Sequence, residues 1–336
     1  MNYYLGLDVG GTNLAAGIVD EDYKVIEKAI LPAGAGRSIA EITKDMIRVC
    51  EMAAEKVNRK LTDFPVLGIG MPSYVNPATQ LLVHANCFGW RNVPIFSYLE
   101  KYYNGQIYIE NDANCATLGE MLAGNARGHQ NIIMLTLGTG VGSGIILDGK
   151  IYAGADMLGA ELGHIKLIYR EKRCTCGQLG CADSYCSARG LADQAREVLE
   201  TGAESLMRTL CEGNLEKLDS RIVFEAAAQK DKVASEVLDQ YMDYLVAALS
   251  TFTTIFRPEV FILGGGVANA GKALTEPLQK SLLVNTFAGA EIGVPEIKLA
   301  ACPDDAGIIG AAFLQKYGMD RRNALKKNFT YIMNEQ

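Results

Sequence analysis

Close to its start the chain contains Tyr3-Tyr4-Leu5-Gly6-Leu7-Asp8-Val9-Gly10-Gly11-Thr12-Asn13 (residues 3–13), an apolar strand that runs directly into a glycine-rich turn. Further strands are expected at 15–19 and 25–31, so the pattern predicts an antiparallel meander. Glycine lets backbone N–H groups approach anionic oxygens, and a carboxylate at the strand end, Asp8, can hold Mg²⁺ through water. The turn also offers the side-chain hydrogen bonds of Thr12 and Asn13. The alternative is a tight hairpin that needs glycine for positive φ.

The same strand–turn–strand pattern recurs in the middle of the chain. A strand at 132–137 runs into Gly138-Thr139-Gly140 and is followed by a strand at 145–147, and a third glycine cluster, 264–266, follows a buried strand. Two such turns suit the phosphates of a nucleotide, and the repeated layout predicts two related halves. Neither turn ends in Gly-Lys-Ser/Thr, so neither is a P-loop, and no long helix follows as in a dinucleotide fold.

Between these turns, residues 38–58 have the apolar spacing of an amphipathic helix, with Ser38 as N-cap and Glu41 completing a capping box. A polar run, Glu110-Asn111-Asp112, follows a buried strand and precedes a second helix. A carboxylate at Asp112 can accept a proton from a substrate hydroxyl, as phosphoryl transfer to an alcohol requires. Because Asp is also a favoured N-cap, this motif alone favours a capping role for Asp112.

One histidine and three cysteines form a candidate metal site: His164, Cys174, Cys176 and Cys181. One nitrogen and three sulfur ligands suit a closed tetrahedral Zn²⁺ site of the structural type. The spacing departs from that of zinc fingers, and Cys186 is an alternative ligand. Unrelated thiols are the other explanation, but three cysteines within eight residues favour zinc.

The composition is that of a globular protein, with 49% apolar and 21% charged residues among 336. A net charge of −7 disfavours a general binder of nucleic acid or anionic membrane. No run reaches the ~18 apolar residues of a membrane helix, and the N-terminus lacks the layout of a signal peptide. We therefore expect a cytoplasmic protein, in which clustered thiols favour metal over disulfides.

Together these segments resemble the ROK family of sugar kinases and sugar-responsive repressors, from residue 5 to about residue 316. The motifs that carry the resemblance lie at 8–13, 110–114, 137–142, 159–164, 174–181, 263–266 and 305–307. The combination of Glu-x-Gly-His with Cys-x-Cys-Gly-x-x-Gly-Cys is highly specific to that family. Regulators of the family carry an added N-terminal helix-turn-helix, whereas the first strand here begins at Tyr3, so a regulator is the disfavoured alternative.

The resemblance implies an α/β, actin-like ATPase (ribonuclease H-like) fold, in which two α/β domains close over an interdomain cleft. The polar segment 124–130 is the predicted crossing between them. An N-terminal domain is expected at 1–123, with the C-terminal helix near 307–336 packing back on it. A C-terminal domain with the zinc loop is expected at 124–306. The resemblance also implies a homodimer.

The activity implied by the resemblance is that of an ATP-dependent hexose kinase, which transfers the γ-phosphoryl group to a sugar hydroxyl, the 6-hydroxyl of glucose or a related hexose. Asp112 would be the general base. The sugar would be bound by Gly70, Asn86, Asn111, Asp112, Glu161, His164 and Asp183. ATP, with Mg²⁺, would be bound by Asp8, Gly10, Gly11, Thr12, Asn13, Gly138, Thr139, Gly140 and Gly265. Structural Zn²⁺ would be held by His164, Cys174, Cys176 and Cys181.

Two segments depart from the family pattern. The family usually has Glu two residues after the third zinc cysteine, whereas this chain has Asp183, which is one methylene shorter. Its sugar contact is therefore expected to be lost or bridged by water. The segment 73–77 also differs from the usual glucokinase sequence. Glucose, N-acetylated hexosamines, fructose, mannose and allose all remain candidate substrates.

Overall fold

The computed structural model describes residues 2–34, 36–76, 79–155 and 157–318, apart from the side chain of Asn86. Contacts between Cα atoms divide the chain into two compact units. Unit 1 comprises Met1–Gln130, Gly144–Ala160 and Cys302–Gln336, and unit 2 comprises Asn131–Ser143 and Glu161–Ala301.

This division differs from the domain boundaries expected from the sequence. Residues 124–130, 144–160 and 302–306, which were expected in the C-terminal domain, have their contacts in unit 1. The domains at 1–123 and 124–306 remain a prediction. Part of the C-terminal helix predicted near 307–336, residues 319–336, lies outside the described residues.

Up to Gln130 the strands are β1 (Tyr4–Val9), β2 (Asn13–Val19), β3 (Val25–Pro32), β4 (Val66–Met71), β5 (Leu82–Ala85), β6 (Trp90–Val93) and β7 (Gln106–Asn111), and the helices are α1 (Ile39–Lys56), α2 (Ile95–Leu99) and α3 (Asp112–Leu122). The later strands are β8 (Ile132–Leu137), β9 (Val141–Leu147), β10 (Lys150–Ile151), β11 (Val260–Gly264) and β12 (Glu296–Leu299). The later helices are α4 (Asp183–Cys186), α5 (Ala188–Glu200), α6 (Leu206–Leu210), α7 (Ser220–Ala228), α8 (Lys232–Phe256), α9 (Lys272–Asn285), α10 (Gly289–Ile292), α11 (Ala306–Ala312) and α12 (Leu314–Tyr317).

The main sheet of unit 1 has the strand order β3-β2-β1-β4-β7. Strands β1, β2 and β3 form the predicted antiparallel meander, while β4 and β7 run parallel to β1. The central strand β1 alternates with the two-residue period of a sheet, and the side chains of Leu5, Leu7 and Val9 are buried. The parallel strands bring the carboxyl ends of β1, β4 and β7 to one edge.

Helix α1 packs on this sheet through the apolar face that its sequence predicts. Ile42, Met46, Val49 and Cys50 are fully buried. The Ser38 hydroxyl accepts a hydrogen bond from the N–H of Glu41, and the Glu41 carboxylate accepts one from the N–H of Ser38. The predicted capping box is therefore confirmed, and it stabilises the first turn by satisfying N–H groups that lack helical partners.

Two further features of unit 1 lie next to its sheet. Helix α11, from the C-terminal part of the chain, packs against α3, β1 and β4. Strands β5 and β6 form a separate antiparallel pair, in which Trp90 is buried and its ring stacks on Phe88 at 4.6 Å. Trp90 is thus the core anchor of this segment, which is the role its apolar surroundings favour.

The second sheet has the order β10-β9-β8-β11-β12, and the division between the units falls inside β9. Strands β8, β11 and β12 are parallel. This order repeats that of the first sheet, in agreement with the predicted layout of two related halves. Strand β9 begins at Val141, four residues before the predicted start, so the turn that precedes it is shorter than expected. No helix among the described residues is long and apolar enough to cross a membrane.

Candidate functional site

Three predicted site residues of unit 1 lie at the same edge of its sheet. Asp8 is next to last in β1, Gly70 is next to last in β4, and Asn111 ends β7. The strand register pairs Asp8 with Gly70, and Gly70 with Glu110. Because ligands of α/β sheets bind beyond the carboxyl ends of the strands, this edge is the candidate site of unit 1.

Asp112 is the first residue of α3, and the residue that caps this helix is Asn111. The Asn111 Oδ1 accepts hydrogen bonds from the N–H of Ala113 at 2.9 Å and of Asn114 at 3.2 Å. The capping role that the motif alone favoured for Asp112 is therefore wrong, because the neighbouring amide takes it. Asp112 Oδ1 accepts a hydrogen bond from its neighbour Ala113 at 2.8 Å, and its carboxylate lies at the beginning of the helix.

The two carboxylates at this edge hold protons more strongly than ordinary aspartates. Burial raises the pKa of Asp8 to about 6, and the negative charge of Asp112 adds to the effect. Burial also raises the pKa of Asp112, although hydrogen bonds from the backbone and from Asn111 partly oppose it. Carboxyl groups that have raised pKa values and lie close together at a strand edge are typical of sites that transfer protons or bind cations.

The first glycine turn lies directly beyond Asp8. The Gly10 N–H donates to the Asn13 carbonyl at 2.8 Å, and the Thr12 carbonyl accepts from Ala33 at 2.8 Å. The remaining predicted residue of this turn is Gly11, which is exposed like Thr12 and Asn13. These three residues are thus at the surface of the edge that carries Asp8.

Asn86, a predicted sugar ligand, begins a short 3₁₀ turn, but its side chain lies outside the described part of the chain. The next residue, Cys87, is partly exposed, and its pKa is raised by burial and by the nearby charge of Asp112. Sequence analysis missed this residue at the site, although its place beside Asn86 was a usable signal.

In unit 2 the second glycine turn, residues 138–140, connects β8 with β9. Gly265 follows β11, which is the neighbour of β8 in the sheet. A β-carbon on Gly265 would lie 2.7 Å from the backbone of Leu137, and φ is +81° at this residue. Only glycine fits there, so the predicted residue Gly265 packs against the backbone of Leu137, which directly precedes Gly138. Thr139, between the two turn glycines, is exposed.

The four predicted metal ligands of unit 2 come together. The ligand atoms of His164, Cys174, Cys176 and Cys181 all lie within 4.8 Å of one another. We call these residues the His/Cys cluster. The His164 Nδ1 is 3.8 Å from the Cys174 Sγ, and the Cys176 Sγ is 3.8 Å from the Cys181 Sγ.

These distances fit a tetrahedral zinc ion. With Zn–S bonds of about 2.3 Å and a Zn–N bond of about 2.0–2.1 Å, ligand atoms lie roughly 3.6–3.8 Å apart. The alternative ligand, Cys186, is buried, and burial raises its pKa above the usual thiol range. Burial raises the pKa of Cys174 to about 11, so this thiol needs a positive partner to act as a thiolate.

Two predicted sugar ligands of unit 2 differ in their environment. Glu161 precedes the 3₁₀ turn that carries His164, and both side chains are exposed. Asp183 is buried, and its carboxylate bonds to the N–H of Val141 and to the guanidinium of Arg189. Sequence analysis missed Arg189, because no local pattern links residues that lie on two separate helices, α4 and α5.

The two sheets, with their common strand order and a glycine turn after the first strand of each, define an α/β protein of the actin-like ATPase fold, as predicted. A sequence model of the ROK family matches residues 4–317. The chain therefore belongs to the ROK family.

Comparisons with individual proteins agree with this assignment. The chain is 34% identical over 313 residues to the glucokinase of Thermotoga maritima, covering 93% of this chain and 96% of that relative. It is similar to the crystal structure of a ROK family glucokinase from Streptomyces griseus in complex with glucose and AMPPNP, with a TM-score of 0.74, 30% identity, and coverage of 93% and 99%. The ROK hexokinase from Thermus thermophilus gives a TM-score of 0.78 at 27% identity, with coverage of 93% and 97%.

Proposed function

We propose that the protein is an ATP-dependent hexose kinase that transfers the γ-phosphoryl group of ATP to a hydroxyl of glucose or a related hexose. The observation that carries the proposal is the position of Asp112, at the start of α3 and beside Asp8. Near full-length similarity to glucokinases supports ATP and a sugar as the substrates.

In the proposed reaction Asp112 is the general base. Its carboxylate accepts the proton of the sugar hydroxyl, the 6-hydroxyl of a hexose, while that oxygen attacks the γ-phosphorus and ADP leaves. Burial raises the pKa of Asp112, which makes the ionised form a stronger proton acceptor. Asn111 donates a hydrogen bond to this carboxylate and thereby orients it, and we assign to it and to Gly70 the wall of the sugar site.

Asp8 fits a role toward Mg²⁺. It is a carboxylate at the strand edge, next to the glycine turn 10–13, and the second carboxylate, Asp112, is close enough to add to its negative potential. When bound, Mg²⁺ supplies positive charge to the phosphate oxygens. Asp8 would hold it through water, while exposed groups of Gly11, Thr12 and Asn13 bind phosphate oxygens.

We assign the turn 138–140 to the phosphates of ATP and Gly265 to its adenosine. The turn is short and rich in glycine, and Gly265 packs directly against Leu137, the residue that precedes the turn. Glu161 and His164 remain our candidates for the sugar hydroxyls, because both are exposed on one short turn.

The direct test is a coupled assay of ADP release with ATP, Mg²⁺ and about twenty sugars. We expect turnover with glucose or a related hexose, and a loss of about 10²–10⁴-fold in kcat for Asp112→Asn. Asp22→Asn, a change of an exposed aspartate, is the matched control and should retain activity. Turnover by Asp112→Asn at the wild-type rate would show that Asp112 is not the base.

We further propose that the His/Cys cluster binds one structural Zn²⁺. The support is the donor set, the position of all four ligand atoms within 4.8 Å of one another, and the two separations of 3.8 Å that suit tetrahedral coordination. Metal analysis should give about one zinc per chain. Cys176→Ser should lower zinc content and melting temperature, whereas Cys302→Ser, a change outside the cluster, should leave the zinc content unchanged. Full zinc content in Cys176→Ser rejects this assignment.

We also propose a homodimer. Unit 2 carries large exposed apolar side chains near the ends of α8, α9 and α10 and between α9 and α10, among them Ile255, Val284, Phe287 and Ile292. Patches of this kind mark interaction surfaces. Light scattering should give twice the chain mass, and Phe287→Ser should weaken the association. A wild-type protein that is monomeric at all concentrations contradicts the proposal.

A further inference from the structure

The carboxylate of Asp183 is engaged by two groups of unit 2. Its Oδ1 accepts a hydrogen bond from the N–H of Val141 at 2.7 Å, and its Oδ2 lies 2.7 Å from the Arg189 guanidinium. The side chain of Asp183 is only 6% exposed, whereas that of Arg189 is 31% exposed. Bonds to a charged group are stronger than neutral hydrogen bonds, so this arrangement holds the carboxylate in one position.

The glycine turn 138–140 is held at both of its ends, by Asp183 at one and by the N–H of Ala188 at the other. Val141 directly follows the turn, and Asp183 binds its N–H. The Gly138 carbonyl, at the other end, accepts a hydrogen bond from the N–H of Ala188 at 2.8 Å. A β-carbon on Gly140 would lie 2.7 Å from the Asp183 Oδ1, so the carboxylate packs directly against the turn.

Asp183 also contacts the His/Cys cluster. The Cys174 Sγ lies 3.6 Å from its Oδ2, and Asp183 begins α4 only two residues after Cys181. One buried carboxylate therefore contacts the turn, the first part of α5 and the cluster. An aspartate suits these contacts, because a glutamate would carry its carboxylate one methylene further from the helix.

We propose that Asp183 is a positioning residue for the nucleotide: together with Arg189 it holds the turn 138–140 in the conformation that binds the phosphates of ATP, and it is not a sugar ligand. The proposal rests on the proposed function, because that function assigns the turn to ATP. According to this proposal, the aspartate that replaces the family's usual glutamate at position 183 serves nucleotide binding.

The test separates ATP from sugar. Asp183→Ala, Asp183→Asn and Asp183→Glu are compared with the wild type for KM of ATP, KM of glucose and Kd of ADP without sugar. Asp193→Asn is the matched control, because Asp193 also pairs with an arginine of α5, Arg196, but has no contact with the turn among the interactions described. Zinc content and melting temperature are measured for every variant.

We expect Asp183→Ala to raise the KM of ATP and the Kd of ADP about tenfold, the effect of losing one hydrogen bond to a charged group. The KM of glucose should stay within about twofold. Asp183→Glu, which keeps the charge, should recover part of the ADP affinity, and Asp193→Asn should match the wild type. If Asp183→Ala does not fold, Asp183→Asn, which has nearly the same shape but loses the charge that pairs with Arg189, should raise the same two constants by a smaller factor.

A rise in the KM of glucose with unchanged ADP affinity overturns the proposal. So does tighter glucose binding in Asp183→Glu without any change toward ATP, because that result makes residue 183 a sugar ligand. A wild-type protein that binds ADP but phosphorylates no sugar rejects the proposed function. In that case the Kd of ADP of the Asp183 variants, compared with that of the wild type, still decides whether Asp183 positions the turn, because this measurement needs no sugar.

Discussion

Ionised Asp8 should destabilise the folded protein, and Asp8→Asn should relieve this cost. The pKa of Asp8 rises from 3.8 to about 6, through burial first and the charge of Asp112 second. Because the pKa of Asp8 is higher in the folded than in the unfolded protein, the folded state is favoured when Asp8 is protonated. This contribution to stability is complete below pH 3.8 and is lost as the pH rises through 6. The shift corresponds to about 3 kcal/mol at neutral pH. Because residue Asp8 is only half-buried, so that solvent reduces this cost, we expect a gain of about 1–3 kcal/mol for Asp8→Asn.

Urea unfolding in Mg²⁺-free buffer measures this gain. The only tryptophan, Trp90, is buried in unit 1, so its fluorescence reports the unit that contains Asp8. At pH 7.5 a gain of this size should raise the urea midpoint by about 0.5–1.5 M, for a slope of about 2 kcal/mol/M. At pH 5 about half of the gain should remain, because wild-type Asp8 is then mostly protonated. Kinase activity should fall in the same variant, as expected where a strained site serves function.

The control is Asp22→Asn, which changes an exposed carboxylate of the same unit and should shift stability by no more than about 0.5 kcal/mol at either pH. Two results contradict the reasoning. One is an Asp8→Asn protein that is less stable than the wild type at pH 7.5. The other is a stability difference that stays the same between pH 7.5 and pH 5, because a buried charge must give a difference that depends on pH.

Three further changes have expected outcomes. The wild-type kcat/KM should fall on acidification at a pH above the ordinary aspartate range, because burial raises the pKa of Asp112; a profile that is flat down to pH 4 contradicts this. Ser38→Ala should lower the free energy of unfolding by about 1 kcal/mol, as measured by urea denaturation, because the capping hydrogen bond is lost. Ser38→Gly should lower it by only a few tenths, since glycine is tolerated at the N-cap position. Gly265→Ala should destabilise the protein and raise the KM of ATP, since its φ is +81° and a β-carbon would meet the Leu137 backbone; a melting temperature equal to that of the wild type would refute this.

Features that depend on nearby residues could be predicted from the sequence. The Ser38 cap and the apolar face of α1 follow from side-chain spacing over a few residues, and the structure confirms both. The two glycine turns follow from apolar strands that end in glycine. The ligands of the His/Cys cluster were predicted from their chemistry, since three of them lie within eight residues.

The neighbours that each side chain meets depended on the tertiary structure. Asn111 and Asp112 are both good caps, and which of them caps α3 depends on where β7 ends. The partners of Asp183 lie on β9 and α5, 42 and 6 residues away, and a separation of this kind leaves no local signal. The raised pKa of Asp8 likewise depends on burial and on a charge about a hundred positions along the chain. Local spacing determines strands, turns and caps because their energies involve adjacent residues, whereas strand register and helix packing determine which distant charges meet.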